Sequence, residues 1–193
     1  MARKIKERKL KSSTVTIIGE GLTERYYFSH LKRLNGYNYV CKPRNFTEQS
    51  FDEIEKQIER VLADNGIAVC VFDLDVTRIK TSDKTKYEKM VRKYSKNSDV
   101  IICESMPSIE FWFLLHYLNT NRYFATSDEV ITALRKYIPE FSKRQTFLSQ
   151  GKWVETMSTD NRLQEAVNRA KNIGSEGESF SNIHLLFQHL ESN

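Results

Sequence analysis

An uninterrupted apolar segment in the first half of the chain restricts the possible folds more strongly than any other part of the sequence. It reads Ile67-Ala68-Val69-Cys70-Val71-Phe72 and leads directly into Asp73-Leu74-Asp75. A strand with one solvated face alternates apolar and polar residues, whereas a strand that is covered on both faces does not. The segment therefore predicts a central strand of a parallel sheet with helices on both faces.

Strand and helix patterns alternate on either side of this segment. Further strand patterns cover residues 15–19, 37–41 and 100–103. Apolar residues recur at helical spacing after the first of these strands, and Ser50 and Glu53 have the spacing of a capping box. A lysine-rich helix is predicted over 85–96, and Pro107 suits the first turn of another helix. The alternation predicts an α/β fold, a Rossmann-like core with a parallel sheet of about four strands flanked by helices.

The last third of the chain carries helical patterns only. Strand signals stop at about residue 126, and helices are predicted over 128–137, 159–173 and 182–190. The loop 174–181 is the only candidate for a flexible linker. We therefore expect one domain over residues 14–193, with a C-terminal helical extension from about 126 and a basic tail over residues 1–13.

The net charge of +5 is concentrated at the amino terminus. Residues 1–11 contain six Lys or Arg and one Glu, which gives 6 − 1 = +5 and leaves the rest of the chain formally neutral. A terminal basic run is either a solubilising tail or an arm that contacts phosphate. A second basic cluster follows Asp75 directly, and its first members are the candidate nucleic-acid-binding residues Arg78, Lys80, Lys84 and Lys86.

The cysteines and the apolar segments indicate a reducing compartment. Cys41, Cys70 and Cys103 are widely spaced, and none has metal-ligand spacing, so they are predicted to be buried apolar residues. No apolar signal segment follows the basic amino terminus, and no run approaches the roughly 18 apolar residues of a membrane helix. We expect a cytoplasmic protein without a membrane partner.

Acidic residues follow three of the predicted strands. Glu20 follows the first strand, and Asp73 and Asp75 end the central one. Ligands of parallel sheets bind beyond the carboxyl ends of the strands, and carboxylates gathered there repel one another unless a divalent cation neutralises them. Glu20, Asp73 and Asp75 therefore predict a Mg²⁺ or Mn²⁺ site. Glu24 fits that site or a simple first-turn helix acid, and both interpretations stay open.

A second group of acids follows the fourth predicted strand. Glu104 is interpreted as a surface residue, whereas Glu110 lies in the first turn of the next helix. His116 comes six residues after Glu110 and therefore lies on a different helical face. A buried histidine with a hydrogen-bond partner and a catalytic histidine are equally compatible with that position.

Three sequence blocks together resemble a known family. The blocks "IIGEGLTE" and "VFDLD" resemble the two signature motifs of Toprim domains. The block "CESMPSIEFWFLLHY" resembles the signature of RloB-like proteins, which are Toprim-related proteins of bacterial phage-defence and abortive-infection loci. Met106 stands where that family often has Asn, and a serine-rich stretch over 179–181 replaces a common Pro-Thr pair. The resemblance covers roughly residues 14–190.

The resemblance implies a metal-dependent nuclease that cleaves DNA or RNA. It implies that Glu20 is a metal ligand or general acid/base and that Asp73 and Asp75 hold Mg²⁺ or Mn²⁺. Glu24 and Glu110 become further candidate catalytic residues, and the basic helix after Asp75 becomes a candidate phosphate-binding surface. The resemblance also implies partners such as an ATPase from the same defence locus, and it leaves the oligomeric state open.

Two other functions compete with this interpretation. The block "VFDLDVT" fits the first motif of haloacid-dehalogenase-like phosphatases, in which Asp73 would be the nucleophile and Asp75 the acid/base. No Asp-Asp or Gly-Asp-x-x-Asp element follows residue 75, although that family needs a late acidic pair. The second alternative is a Toprim-like module that binds nucleic acid or a partner without cutting it.

Overall fold

The computed structural model describes residues 13–19, 21–42, 50–74, 81–174 and 178–192. Several residues named above lie outside these ranges, namely Glu20, Asp75, Arg78, Lys80 and almost all of the basic tail. The described part of the chain contains no helix with the length and apolar character needed to cross a membrane.

A sheet of five strands forms the centre of the described structure. In chain order the strands are β1 (Val15–Gly19), β2 (Tyr39–Lys42), β3 (Ile67–Asp73), β4 (Val100–Met106) and β5 (Phe180–Ser181). Their spatial order is β2-β1-β3-β4-β5. The first four strands are mutually parallel, and β5 pairs antiparallel with β4. The prediction of a parallel α/β sheet with the 67–72 segment at its centre is therefore confirmed.

Helices connect the strands and form the C-terminal third of the chain. They are α1 (Leu22–Asn35), α2 (Phe51–Ala63), α3 (Thr81–Tyr94), α4 (Ile109–Leu115), α5 (Ser127–Leu134), α6 (Gln145–Leu148), α7 (Lys152–Ser158), α8 (Arg162–Ile173) and α9 (His184–Glu191). The predicted capping box at the start of α2 is confirmed. The Ser50 hydroxyl accepts a hydrogen bond from the Glu53 backbone N–H, and the Glu53 carboxylate accepts one from the Ser50 N–H.

Successive residues of β3 contribute to two different apolar cores. Val69 and Val71 belong to the larger core, which contains the buried side chains of α1, α4 and the C-terminal helices. Ala68, Cys70 and Phe72 belong to the smaller core beneath α2 and α3. Because neighbouring strand residues point to opposite faces, a strand covered on both sides needs apolar side chains at every position. This explains why the segment shows no alternation.

Two local predictions are wrong, and one short helix was not predicted. Pro107 does not open a helix, because β4 continues to Met106 and α4 begins at Ile109 with Ser108 as its N-cap. The loop 174–181 is not simply a linker, because it includes β5. The helix expected over roughly 159–173 is confirmed as α8, which begins at Arg162 and ends at Ile173, whereas the helix α7 that precedes it was not predicted. β5 has two residues and α6 has four, so each is too short for a repeating pattern to be recognised in the sequence.

Candidate functional site

Asp73 is the predicted metal ligand that the structure describes, and it lies at the carboxyl end of β3. Its Oδ1 accepts a hydrogen bond of 2.8 Å from the backbone N–H of Ile109, the first residue of α4. Asp73 is paired in register with Ser105 of β4. The carboxylate of Asp73 is thereby fixed beside the amino-terminal end of α4, one residue away from Glu110.

Glu24 lies in the first turn of α1, and its side chain is only 5% exposed. Its Oε2 is buried and has no hydrogen-bond partner among the described residues. A Cβ atom at Gly21 would come within 3.1 Å of this oxygen, and one at Gly19 within 3.1 Å of the Glu24 Cβ. The glycines of the Gly19-Glu20-Gly21 segment therefore leave the space that the Glu24 side chain occupies.

Glu110 is the second residue of α4, and its side chain is completely buried. Its Oε2 accepts a 2.6 Å hydrogen bond from the Ser108 hydroxyl. Its Oε1 accepts no hydrogen bond among the described residues but lies 3.1 Å from the ammonium nitrogen of Lys143. Because the Lys143 side chain is 38% exposed, this ion pair connects a buried carboxylate with the surface.

The two glutamates interact electrostatically. Burial raises the pKa of the Glu24 carboxyl to about 7, because the charged form loses its hydration. The nearby Glu110 carboxylate acts in the same direction, whereas the Lys143 ammonium and backbone hydrogen bonds oppose the shift. A carboxyl group with this pKa exchanges its proton near neutral pH, which is the property that general acid/base chemistry requires.

The structure thus brings three of the sequence-predicted acids into one region. Asp73 contacts the residue before Glu110, and Glu110 interacts with Glu24. Within the described ranges, no group of three His, Cys, Asp or Glu side chains has the geometry of a metal site. Glu20 and Asp75, the other two predicted ligands, are outside those ranges. The buried Glu24 Oε2 still needs a proton or a cation, because an unsatisfied buried oxygen is costly, and either of them would satisfy it.

The basic cluster after β3 is partly engaged in ion pairs. Lys84 is exposed on α3, whereas the Lys86 ammonium lies 2.6 Å from Asp52 of α2. The Lys93 ammonium of α3 lies 2.6 Å from the carboxylate of Glu55 and 2.9 Å from that of Glu59, both on α2. Part of the positive charge of α3 is therefore paired with acids of α2. The assignment of Lys84 and Lys86 to nucleic-acid binding stays a prediction.

His116 belongs to a buried hydrogen-bonded chain. The Trp112 indole N–H donates to the Tyr27 hydroxyl at 2.8 Å, and that hydroxyl lies 3.4 Å from His116 Nε2. His116 Nδ1 lies 2.8 Å from the Met157 carbonyl oxygen, which can only accept. Burial lowers the pKa of His116 to about 4, so the ring is neutral at pH 7. These contacts connect α1, α4 and α7 and assign His116 to the buried alternative of the sequence analysis.

Glu104 is not the surface residue that the sequence indicated. Its carboxylate accepts hydrogen bonds from the Tyr87 hydroxyl of α3 and the Asn182 side chain. The Asn182 backbone N–H also donates to the Glu104 carbonyl oxygen. Glu104 therefore attaches the end of β4 to α3 and to the segment that leads into α9. The strand was predicted to end at Cys103, whereas β4 extends to Met106 and therefore includes Glu104. For this reason the sequence did not indicate the role of Glu104.

Sequence analysis missed Lys143 and Ser108. Ser108 follows a proline and is an ordinary N-cap candidate, which was a usable signal. Lys143 lies between α5 and α6 in a segment without a periodic pattern, so nothing in its local sequence connects it with Glu110. Only the packing of the C-terminal segment against α4 brings the two charges together.

The comparison with protein families decides the affiliation of the chain. The family described as RloB-like protein matches residues 15–190. The chain belongs to the RloB-like protein family. No curated protein and no solved structure matches the chain significantly. In this RloB-like protein the block "SIEFWFLLH" has two distinct tasks: its first residues hold the Glu110 carboxylate, and Trp112 and His116 join three helices.

Proposed function

We propose that this RloB-like protein is a Mg²⁺- or Mn²⁺-dependent nuclease that hydrolyses phosphodiester bonds in DNA or RNA. The main support is the carboxylate pair of Glu24 and Glu110, which is buried beside the sheet end that carries Asp73. Burying two carboxylates next to each other opposes folding unless a proton or a cation compensates their charge. Such an arrangement is typical of functional sites rather than of structural ones.

The acids of the strand ends would hold the metal. Asp73 would act together with Glu20 and Asp75, and the hydrogen bond from the Ile109 N–H fixes its orientation. When bound, the cation would supply a Lewis acid for the phosphoryl oxygens and lower the pKa of an attacking water.

The remaining side chains would move protons and balance charge. Glu24, whose pKa lies at about 7, would accept or release a proton near neutral pH. Ser108 and Lys143 keep the Glu110 carboxylate in a single orientation. The partly exposed Lys143 ammonium offsets negative charge where an anionic phosphate would approach.

The substitution Asp73→Asn tests the proposal because it keeps the size of the side chain and removes its charge. We expect cleavage of labelled DNA or RNA in Mg²⁺ or Mn²⁺ to fall at least about 100-fold. The matched control is Asp64→Asn at the exposed C-cap of α2, which should cleave at the wild-type rate. Thermal unfolding with and without the metal gives an independent readout, since a ligand of the folded state raises the midpoint. Wild-type cleavage by Asp73→Asn, or cleavage in EDTA, would contradict the proposal.

We propose phage defence as the biological role, on the basis of the resemblance to defence-locus proteins. Phage should form fewer plaques on cells that express the wild-type chain with its neighbouring genes than on cells that express Asp73→Asn in the same way. Equal plaque numbers on both kinds of cell would contradict a defence role that depends on Asp73.

A further inference from the structure

A layered stack of flat side chains lies in the C-terminal helical region. The rings of Tyr117 and Tyr137 are 5.0 Å apart and inclined by only 11°. The Arg162 guanidinium lies 5.3 Å from the Tyr117 ring centre, and its Nη1 donates to the Thr156 carbonyl oxygen at 2.8 Å. Tyr137 is nevertheless 40% exposed. The stack holds an exposed aromatic ring in a fixed orientation.

Tyr137 also lines a pocket of about 280 Å³, called the aromatic pocket below. Phe147 and Trp153 contribute two further aromatic rings to its wall. Gln150 and Thr156 add an amide and a hydroxyl group. The Thr156 hydroxyl donates to the Lys152 carbonyl oxygen and the Gln150 amide nitrogen to the Thr146 carbonyl oxygen, so the side-chain oxygens of both residues remain as acceptors. A pocket for a small ligand typically has apolar and aromatic walls with a small number of precisely placed polar groups.

The charges of the aromatic pocket favour an uncharged ring over a phosphate group. Its lining contains one cation, Lys152, and one anion, Glu140. These charges cancel formally, so the described lining does not concentrate positive charge. A nucleobase satisfies this environment, because it stacks on aromatic faces and hydrogen-bonds through its edge.

The aromatic pocket is close to the proposed catalytic site. Glu140 of its lining precedes Lys143 by three residues, so their Cα atoms are at most about 11 Å apart. Trp153 is in ring contact with Phe113 and Tyr27, which follow Glu110 and Glu24 by three residues each. The wall of the aromatic pocket therefore packs through the core against the helices that carry Glu24 and Glu110.

We propose that the aromatic pocket binds an unpaired nucleobase by stacking it on Tyr137, so that the substrate is a single-stranded or locally unpaired nucleic acid. This inference rests on the proposed nuclease function and specifies its substrate. A base inside an intact duplex is stacked and paired, and it cannot also stack on a protein ring.

The test is a binding titration with the full chain in EDTA, which separates affinity from cleavage. The probes are a short labelled single-stranded DNA, its RNA counterpart and the DNA duplex of the same sequence. Tyr137→Ala should weaken binding of a single strand about 5- to 100-fold, which corresponds to the loss of one base stack. Tyr137→Phe keeps the ring and should bind within about twofold of wild type. Tyr123→Ala removes another exposed tyrosine, 51% exposed, and should leave affinity unchanged.

Each result has a defined meaning. Wild-type affinity in Tyr137→Ala, an equal loss in Tyr123→Ala, or no binding of either single strand would overturn the inference. A loss of duplex affinity as large as that of single strands would also overturn it. Thermal unfolding of each variant controls for misfolding. If the alanine variant does not fold, Tyr137→Leu takes its place, because it keeps an apolar side chain without a ring and should show the same loss of single-strand binding. Cleavage is judged separately with Asp73→Asn, so the nuclease proposal and this inference can fail independently.

Discussion

Glu24 shows how burial can give a common side chain an unusual chemistry. Its carboxyl group lies at the start of a helix, where a negative charge is normally favourable. Burial outweighs this effect and raises its pKa to about 7. The sequence left two roles open for Glu24, because helix position was visible and burial was not. The helix position alone would lower the pKa of the carboxyl and keep it ionised at neutral pH.

The raised pKa of Glu24 predicts a pH-dependent stability. The folded state binds a proton more tightly than the unfolded state, in which the Glu24 carboxyl has the ordinary pKa of 4.5. The resulting stabilisation is complete below pH 4.5 and is lost as the pH rises towards about 7. Glu24→Gln removes this dependence. We expect the wild-type free energy of unfolding to fall by about 2 to 3 kcal/mol relative to Glu24→Gln between those pH values.

Denaturant unfolding of both proteins across this pH range measures the difference. Titrating groups that do not interact with Glu24, such as His30 and His116, contribute equally to both proteins and cancel in the comparison. Glu155→Gln, at an exposed acid of α7, is the matched control and should follow the wild-type profile. Parallel profiles for wild type and Glu24→Gln would show that Glu24 does not titrate in this window.

At the scale of elements, α4 combines two roles that the sequence block around it could not separate. Its amino-terminal end fixes Asp73 and Glu110, and its other end is bonded to α1 and α7. His116 looks equally suited to chemistry and to packing when only its spacing is known. Its partners on distant helices, Tyr27 and Met157, decide the question in favour of packing.

Tyr27→Phe tests this structural role. The change removes the hydroxyl group that accepts from Trp112 and lies next to His116. It leaves a buried indole N–H unsatisfied, which we expect to cost about 1 to 3 kcal/mol of stability. Cleavage per folded molecule should stay at the wild-type level. Denaturant unfolding and a nuclease assay measure the two quantities, and Tyr123→Phe is the exposed control. Wild-type stability with lost cleavage would instead indicate a catalytic hydroxyl group.

The elements also show where sequence patterns stop being informative. The predicted bounds of β1 agree with the structure, and those of β3 differ by one residue, because each strand contains a run of apolar residues. β5 has two residues and gains its stability from the edge of β4 and from the Ser105–Ser181 hydroxyl contact of 2.8 Å. A strand that depends on a distant partner leaves no pattern of its own. Lys143 was missed for the same reason, because its ion-pair partner Glu110 is remote in sequence.

At the scale of the whole molecule, the packing of the helices determines which basic side chains form ion pairs with acids of another helix. α3 and α2 cover one face of the sheet, and ion pairs from Lys86 and Lys93 to acids of α2 join them. α8 packs on the opposite face. The sequence shows a basic cluster in α3 but not which of its charges are compensated by another helix. A net charge is therefore a poor guide to the surface that meets a polyanion.

Lys84 offers a test of whether the exposed part of α3 binds nucleic acid. Each phosphate contact made by a cation releases counterions, so affinity falls with salt in proportion to the number of contacts. Lys84→Gln should weaken binding of all sequences similarly and reduce the slope of log K against log salt by about 1. Fluorescence anisotropy in EDTA at several salt concentrations measures this slope. Lys171→Gln has the same charge change on α8, on the opposite face, and should keep the wild-type slope. Identical slopes for Lys84→Gln and wild type would exclude Lys84 from the phosphate contacts, whereas equal reductions in both variants would indicate a general effect of net charge.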